Sequence, residues 1–309
     1  MIINTGERTD IPAYYSEWFM NRIKEGYVLV RNPYYNEQVT RYSLSKDVVD
    51  LLAFCTKNPI PMLPHLKELS DYNMFWFVTI TPYGRDVEPN VPPKEKVMDA
   101  FKSLSDTLGV NCVSWRYDPI LIDDTYTLDY HIETFSKMAN NLKGYTDNVV
   151  ISFIDLYKKT IKNFPGIREV TQKERDAIGE AFSKIGKENG MLIRSCFEGK
   201  DLQKFGIDVS GCMTKDILER AIGTSLDITK KNNPRPGCNC LLGNDIGAYN
   251  TCGHLCRYCY ANYDEKMVRQ NMKNHIKTSP FLIGTSLPQD KMHDADQVSY
   301  ATGQYFLQL

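Results

Sequence analysis

MFWFVTITPYGRDVEPNVPPKEKVMDAFKSLSDTLGVNCVSWRYD, residues 74–118, is a strand, a helix and a second strand in succession. The opening apolar run is short and rich in aromatic and β-branched residues, and Pro82 and Gly84 close it. Val97, Phe101, Leu104 and Leu108 then recur at helical spacing, and Gly109 stops the pattern. The second strand alternates. Ser114, Arg116 and Asp118 share one face, and Val113, Trp115 and Tyr117 share the other. The apolar face is expected to pack under helices, and the polar face to point into the fold.

The same rhythm extends in both directions. Apolar runs bounded by turn residues recur at 1–6, 27–33, 48–59, 148–157, 191–199 and 207–212. Helical patterns lie at 15–26, 128–144, 173–190 and 214–226. With the opening unit this makes eight strand-like runs alternating with helices, the pattern of a (β/α)8 TIM-like barrel. The weakest unit is YYNEQVTRYSLSKD, 34–47, which lacks an amphipathic helix and reads as a hairpin or an irregular crossover. An open α/β sheet is the fallback. The expected division is a barrel over 1–228 and a cysteine-rich extension over 229–309, packed on the C-terminal face of the barrel. The extension starts in the Pro- and Asn-rich TKKNNPRPGCNC, 229–240, and includes one helical pattern at 262–275.

Composition limits the function classes. Lys plus Arg is 37 and Asp plus Glu is 38, for a net charge of −1. That balance argues against a broad nucleic-acid surface, though not against a local basic pocket. No apolar run is long enough to span a bilayer, and the first residues lack the pattern of a secretory signal, so a cytoplasmic location is expected. No Walker-type loop, dinucleotide fingerprint or His-x3-His pair appears.

In a barrel, chemistry sits where the strands end. Polar residues gather at those ends. Arg116, Asp118, Asp10 and Lys57 are the candidates for catalysis, and Arg8, Arg31 and Arg194 for gripping a cofactor or an anionic small-molecule substrate. Arginine suits a carboxylate or phosphate, and an inward arginine is costly unless it is paired or bound. A salt-bridge plug of the same residues is the competing reading.

Nine cysteines in a chain of this class do not form a disulfide framework. Cys55 and Cys112 lie in apolar runs and read as buried hydrophobes. The other seven fall in the last third of the chain. Cys252, Cys256 and Cys259 are spaced Cys-x3-Cys-x2-Cys within TCGHLCRYCYAN, 251–262. Thiolates select zinc, copper(I) or iron–sulfur clusters, and three protein thiolates leave one position of a 4Fe–4S cluster open. Cys196, Cys212, Cys238 and Cys240 suggest a second cluster or a zinc site. His254 lies inside the motif as a ligand or an outer-shell donor.

The motif CGHLCRYC resembles the cluster segment of radical S-adenosylmethionine (SAM) enzymes, and its CRYCYAN end is similar to spore photoproduct lyase-type members. The resemblance implies that Cys252, Cys256 and Cys259 ligate a 4Fe–4S cluster and that Tyr258 is the motif aromatic beside the cofactor. It further implies that SAM binds the open iron and that a reductant such as ferredoxin or flavodoxin supplies the electron. One departure stands out. Those enzymes carry the motif after the first strand, whereas here it follows the last, a permuted order. The chain as a whole also resembles the family catalogued as domain of unknown function 1848. The stretches NTGERTDIPAYYSEWF, TKNPIPMLP, EPNVP, WRYDPI, SFIDLYKK and DIGAYNTCGHLCRYCYAN carry that likeness. Two other functions fit the residues: a zinc-stabilised barrel with hydrolase or lyase chemistry, and a non-catalytic iron–sulfur carrier or sensor.

Overall fold

A computed structural model describes residues 1–228, 239–241 and 243–305. Its strands are β1 (Ile2–Asn4), β2 (Tyr27–Arg31), β3 (Gln38–Ser43), β4 (Leu51–Thr56), β5 (Met74–Thr79), β6 (Val113–Ile120), β7 (Asn148–Phe153) and β8 (Leu192–Ser195), followed by β9 (Thr224–Leu226), β10 (Asn244–Asp245), β11 (Lys291–Asp294) and β12 (Ala301–Tyr305). The main sheet has seven strands in the order β10-β1-β4-β5-β6-β7-β8, every neighbouring pair parallel.

The expected eight-stranded barrel is corrected by this order, because the sheet is not an eight-fold ring. Two of the eight apolar runs do not join it. Residues 27–31 pair antiparallel with β3, and β11 completes that separate three-stranded sheet. The run 207–212 makes only a bridge between Asp208 and Arg194. A 3-10 turn, Asp201–Phe205, is all the helix that connects it to β8, and Gly211 has φ +136°, so neither crossover nor backbone suits another parallel strand. The seventh strand comes instead from the tail, where β10 lies parallel to β1.

The helices are α1 (Ile11–Tyr14), α2 (Ser16–Glu25), α3 (Lys94–Leu108), α4 (Leu128–Leu142), α5 (Lys158–Asn163), α6 (Gln172–Glu188), α7 (Lys215–Ile222) and α8 (Glu265–Lys273). Local chemistry sets their ends. Thr127 caps α4 by accepting from the Tyr130 N–H, and Thr171 with Glu174 forms a capping box on α6. The central strands are buried on both faces, as covered parallel strands must be. One face packs on α3, α4 and α6. Its aromatic spine runs from Trp115 to Phe135, stacked at 4.9 Å between centroids, and on to Phe182, stacked at 3.7 Å. The opposite face carries Ala53, Phe75 and Phe77, packed against Met213, Ile217 and Leu218 at and before α7. No helix among the described residues is long and apolar enough to cross a membrane.

Phe135 is fully buried between two stacked rings. Phe135→Ala should destabilise the fold by about 3–5 kcal/mol, read as a lower urea midpoint. A shift under about 1 kcal/mol would show that the spine does not hold the helices to the sheet.

Candidate functional site

The loop 251–262 lies at the carboxyl ends of the parallel strands. Segments that follow several of them hold it. After β1, the Tyr15 hydroxyl donates to the Thr251 carbonyl at 2.6 Å, and Tyr260 donates back to the Glu7 carbonyl at 2.7 Å. After β5, Asn90 Nδ2 donates to the Gly253 carbonyl at 2.8 Å, and the Arg257 N–H donates to the Val87 carbonyl at 3.0 Å. After β7, Lys159 Nζ donates to the Cys259 carbonyl at 2.6 Å. Gly253 is required here, because a Cβ on it would stand 2.7 Å from the Tyr14 ring.

Two buried carboxylates anchor the loop more deeply. Asp10 caps α1 through the Ala13 N–H at 3.0 Å, accepts the Lys57 N–H at 2.8 Å, and lies 3.0 Å from His254 Nε2. The other ring nitrogen of His254 meets the Tyr14 hydroxyl at 3.1 Å. Glu88 accepts from Lys57 Nζ and from the Thr81 hydroxyl, each at 2.7 Å, and also from Lys94 Nζ and the Tyr258 hydroxyl. Burial alone would raise the Glu88 carboxyl; the Lys57 and Lys94 ammonium groups outweigh it and hold the pKa down at about 2.

Cys252 and Cys256 are buried and Cys259 is half-buried. Burial pushes the Cys252 thiol up, and Asp10 and the two neighbouring thiols push it further. Burial and Glu88 raise Cys256, while Lys57 opposes them. Burial lowers the Lys159 ammonium, and the three thiols together oppose that shift. The three thiols therefore lie within electrostatic reach of three ammonium groups. Lys57 and Lys94 share one carboxylate, and among the described residues Lys159 makes no salt bridge.

The polar face of β6 meets a second group of thiols. Arg116 Nε donates to Asp118 at 2.9 Å, its guanidinium lies 5.0 Å over the Phe77 ring, and Nη1 reaches Cys212 Sγ at 3.6 Å. Asp118 also accepts from Ser152. Beside Arg116 is a cavity of about 40 Å³, lined in part by Cys55, Phe77, Cys212 and Met213. Cys212 Sγ lies 3.5 Å from Cys240 Sγ, and Cys196 packs against the same buried cluster. Cys238 lies outside the described residues.

The remaining arginines are engaged elsewhere. Arg8 is tied to Asp245 at 3.0 Å, Arg31 to Asp290 beside the three-stranded sheet, and Arg194 to Asp208. Asp10 and Lys57 are thus brought to the first thiol group, and Arg116 and Asp118 to the second. Among the described residues no three His, Cys, Asp or Glu side chains converge as on one metal ion. Sequence reasoning missed Glu88, Lys94, Lys159 and Tyr14. For Glu88 the one available signal was its place just beyond a strand end, where a carboxylate is more often solvated.

The family model described as Domain of unknown function (DUF1848) matches residues 2–261, and the chain belongs to that family. The match takes in both thiol groups. No curated protein matches the chain.

Glu88→Gln leaves the Lys57 and Lys94 ammonium groups buried without their carboxylate. The expected loss is about 3–5 kcal/mol at neutral pH, measured by urea unfolding. The wild-type carboxyl has its folded pKa at about 2 against an ordinary 4.5, so its contribution is complete above the ordinary value. That contribution, about 3 kcal/mol, is lost as pH falls from there towards the folded pKa. Stability of the wild type should fall more steeply across this window than that of Glu88→Gln; parallel profiles would refute the assignment.

Proposed function

We propose that Cys252, Cys256 and Cys259 hold a 4Fe–4S cluster and that the protein is a radical SAM-type enzyme acting on a small, anionic substrate. The observation that carries this reading is the loop itself. Its three thiols are neighbours at the carboxyl ends of parallel strands, and Lys57, Lys94 and Lys159 stand beside them. Thiolates that raise one another's pKa repel, and an iron core offsets that repulsion. The donor set fits such a core. In a cluster each thiolate binds its own iron, so the sulfurs need not converge on a point as they would on one zinc ion. The lysines complement the negative charge that three thiolates bring.

When bound, a cluster of this kind supplies the electron that splits SAM into methionine and a deoxyadenosyl radical, which takes hydrogen from the substrate. The chain's own residues hold and shield the loop. Asp10 and Tyr14 fix the His254 ring, so the loop keeps one orientation over the strand ends. Glu88 ties Tyr258 to the same base that holds the two lysines. Arg116 is matched by Asp118, and their cavity of about 40 Å³ suits water-sized groups rather than SAM. The surroundings of the loop, where Lys159 makes no salt bridge among the described residues, are the better place for an anionic substrate. A one-electron donor of the ferredoxin or flavodoxin kind completes the reaction.

The test is anaerobic purification, iron and zinc analysis, reduction, addition of SAM and assay of 5′-deoxyadenosine. About four irons per chain are expected, with formation of deoxyadenosine. Changing Cys252, Cys256 or Cys259 to Ala should lower cluster content and SAM cleavage more than about 100-fold. Zinc in place of iron would overturn the reading. Iron with no SAM cleavage, even with candidate substrates present, would leave an electron carrier or sensor.

A further inference from the structure

Cys196, Cys212 and Cys240 come from three separate segments: the turn after β8, the turn before α7, and the chain ahead of β10. Cys212 Sγ lies 3.5 Å from Cys240 Sγ, and Cys196 packs against the same buried cluster. Among the described residues the three are not gathered as on one metal ion. Their exposure is graded. Cys196 is half-buried, while Cys212 and Cys240 are 2% exposed. At the inner end, Cys240 Sγ accepts the backbone N–H of Cys212 at 3.1 Å and that of Met213 at 3.5 Å. Two N–H donors on one sulfur favour its thiolate form. Gly211 makes the approach possible, since a Cβ there would stand 2.9 Å from Cys240 Sγ. Arg116 Nη1 supplies a cation 3.6 Å from Cys212 Sγ. A soft metal ion wants its thiolates around one point, whereas thiol–disulfide exchange needs only neighbouring sulfurs, each able to attack the next.

We propose that Cys196, Cys212 and Cys240 form a thiol–disulfide relay that exchanges two electrons with an external disulfide or dithiol. It uses atoms separate from the cluster loop and does not depend on the function proposed for that loop. In the oxidising direction, the Cys196 thiolate attacks an external disulfide, forms a mixed disulfide and releases one thiolate. The Cys212 thiolate then attacks Cys196 Sγ, making a Cys196–Cys212 disulfide and expelling the second external thiolate. Last, the Cys240 thiolate attacks Cys212 Sγ, and Cys196 leaves as a thiolate and takes up a proton. Overall, two protein thiols and one external disulfide become one Cys212–Cys240 disulfide and two external thiols. The two electrons lost by Cys212 and Cys240 reduce the external disulfide. A dithiol reverses every step. The relay carries oxidation from the more exposed Cys196 to the buried Cys212 and Cys240 pair.

The full-length protein, purified anaerobically, is treated with oxidised glutathione, quenched by alkylation, digested and mapped by mass spectrometry. The expected result is a Cys212–Cys240 disulfide that dithiothreitol removes. Cys196→Ser should reach the same end point at least about tenfold more slowly, because the accessible entry thiol is gone. The Cys256→Ala chain should oxidise as the wild type does, which separates this result from the fate of the cluster loop. The proposal is overturned if Cys212 and Cys240 stay fully alkylatable in the wild type. It is equally overturned if Cys196→Ser oxidises at the wild-type rate. Bound zinc or iron in the wild type that is lost with Cys212→Ser, but kept with Cys256→Ala, would make the three thiols a metal site instead. The decisive wild-type measurement needs no variant, so a poorly folding substitution does not blunt it.

Discussion

A carboxylate sealed from water must find its counter-charges inside the protein, and Glu88 finds two. Lys57 reaches it from the end of β4, Lys94 from the start of α3, Thr81 from the end of β5, and Tyr258 from the cysteine loop. Four parts of the chain thus meet on one side chain. The knot ties the loop to the strand ends with charged hydrogen bonds, which are stronger and more directional than apolar contact. Asp10 repeats the arrangement on a smaller scale, joining α1, the backbone after β4 and His254. A segment that has little regular structure of its own is positioned by these two carboxylates.

The two thiol groups occupy different surroundings. The first faces lysines at the strand ends; the second lies against the sheet, with Arg116 beside it. Cys55 stands between them electrostatically. Its thiol is pushed up to about 12 by burial, and it senses both Arg116 and Cys196, while Tyr260 of the cysteine loop senses Cys55. Half-buried, and with its pKa raised in spite of Arg116, Cys55 has the character of a packing residue and not of a nucleophile.

Much of this architecture was legible in the residues, for definite reasons. β5 and β7 are runs that must be largely apolar because both faces are covered, and the alternation of β6 correctly assigns Arg116 and Trp115 to opposite faces. The stretch 34–47, read as a hairpin or an irregular crossover, supplies β3, which pairs antiparallel with the preceding β2. The barrel expectation failed where pattern and backbone part company. Ile207 and Val209 look like a strand, yet Gly211 and a short crossover divert them. Asn244 and Asp245 carry no apolar signal and still complete the sheet, because pairing with β1 satisfies their backbone. At the site, the Cys-x3-Cys-x2-Cys spacing was visible, since it is local. Glu88 was not, because its partners Lys57 and Tyr258 lie 31 and 170 positions away, and no window of sequence contains them together.

The pairing of β1 with β10 sets the order in which the molecule can be completed. Ile3 lies beside Asn244, so β1 waits for β10, the last strand of the main sheet in chain order. Until then the outer edge of β1 offers unpaired N–H and C=O groups, the kind of edge that invites association with other chains. Contacts between distant parts of a chain form late and slow folding. Arg8, gripped by Asp245 through side chain and backbone, closes that seam. The cysteine loop follows directly in the chain, so its thiols reach their places after nearly all of the sheet that supports them has been synthesised.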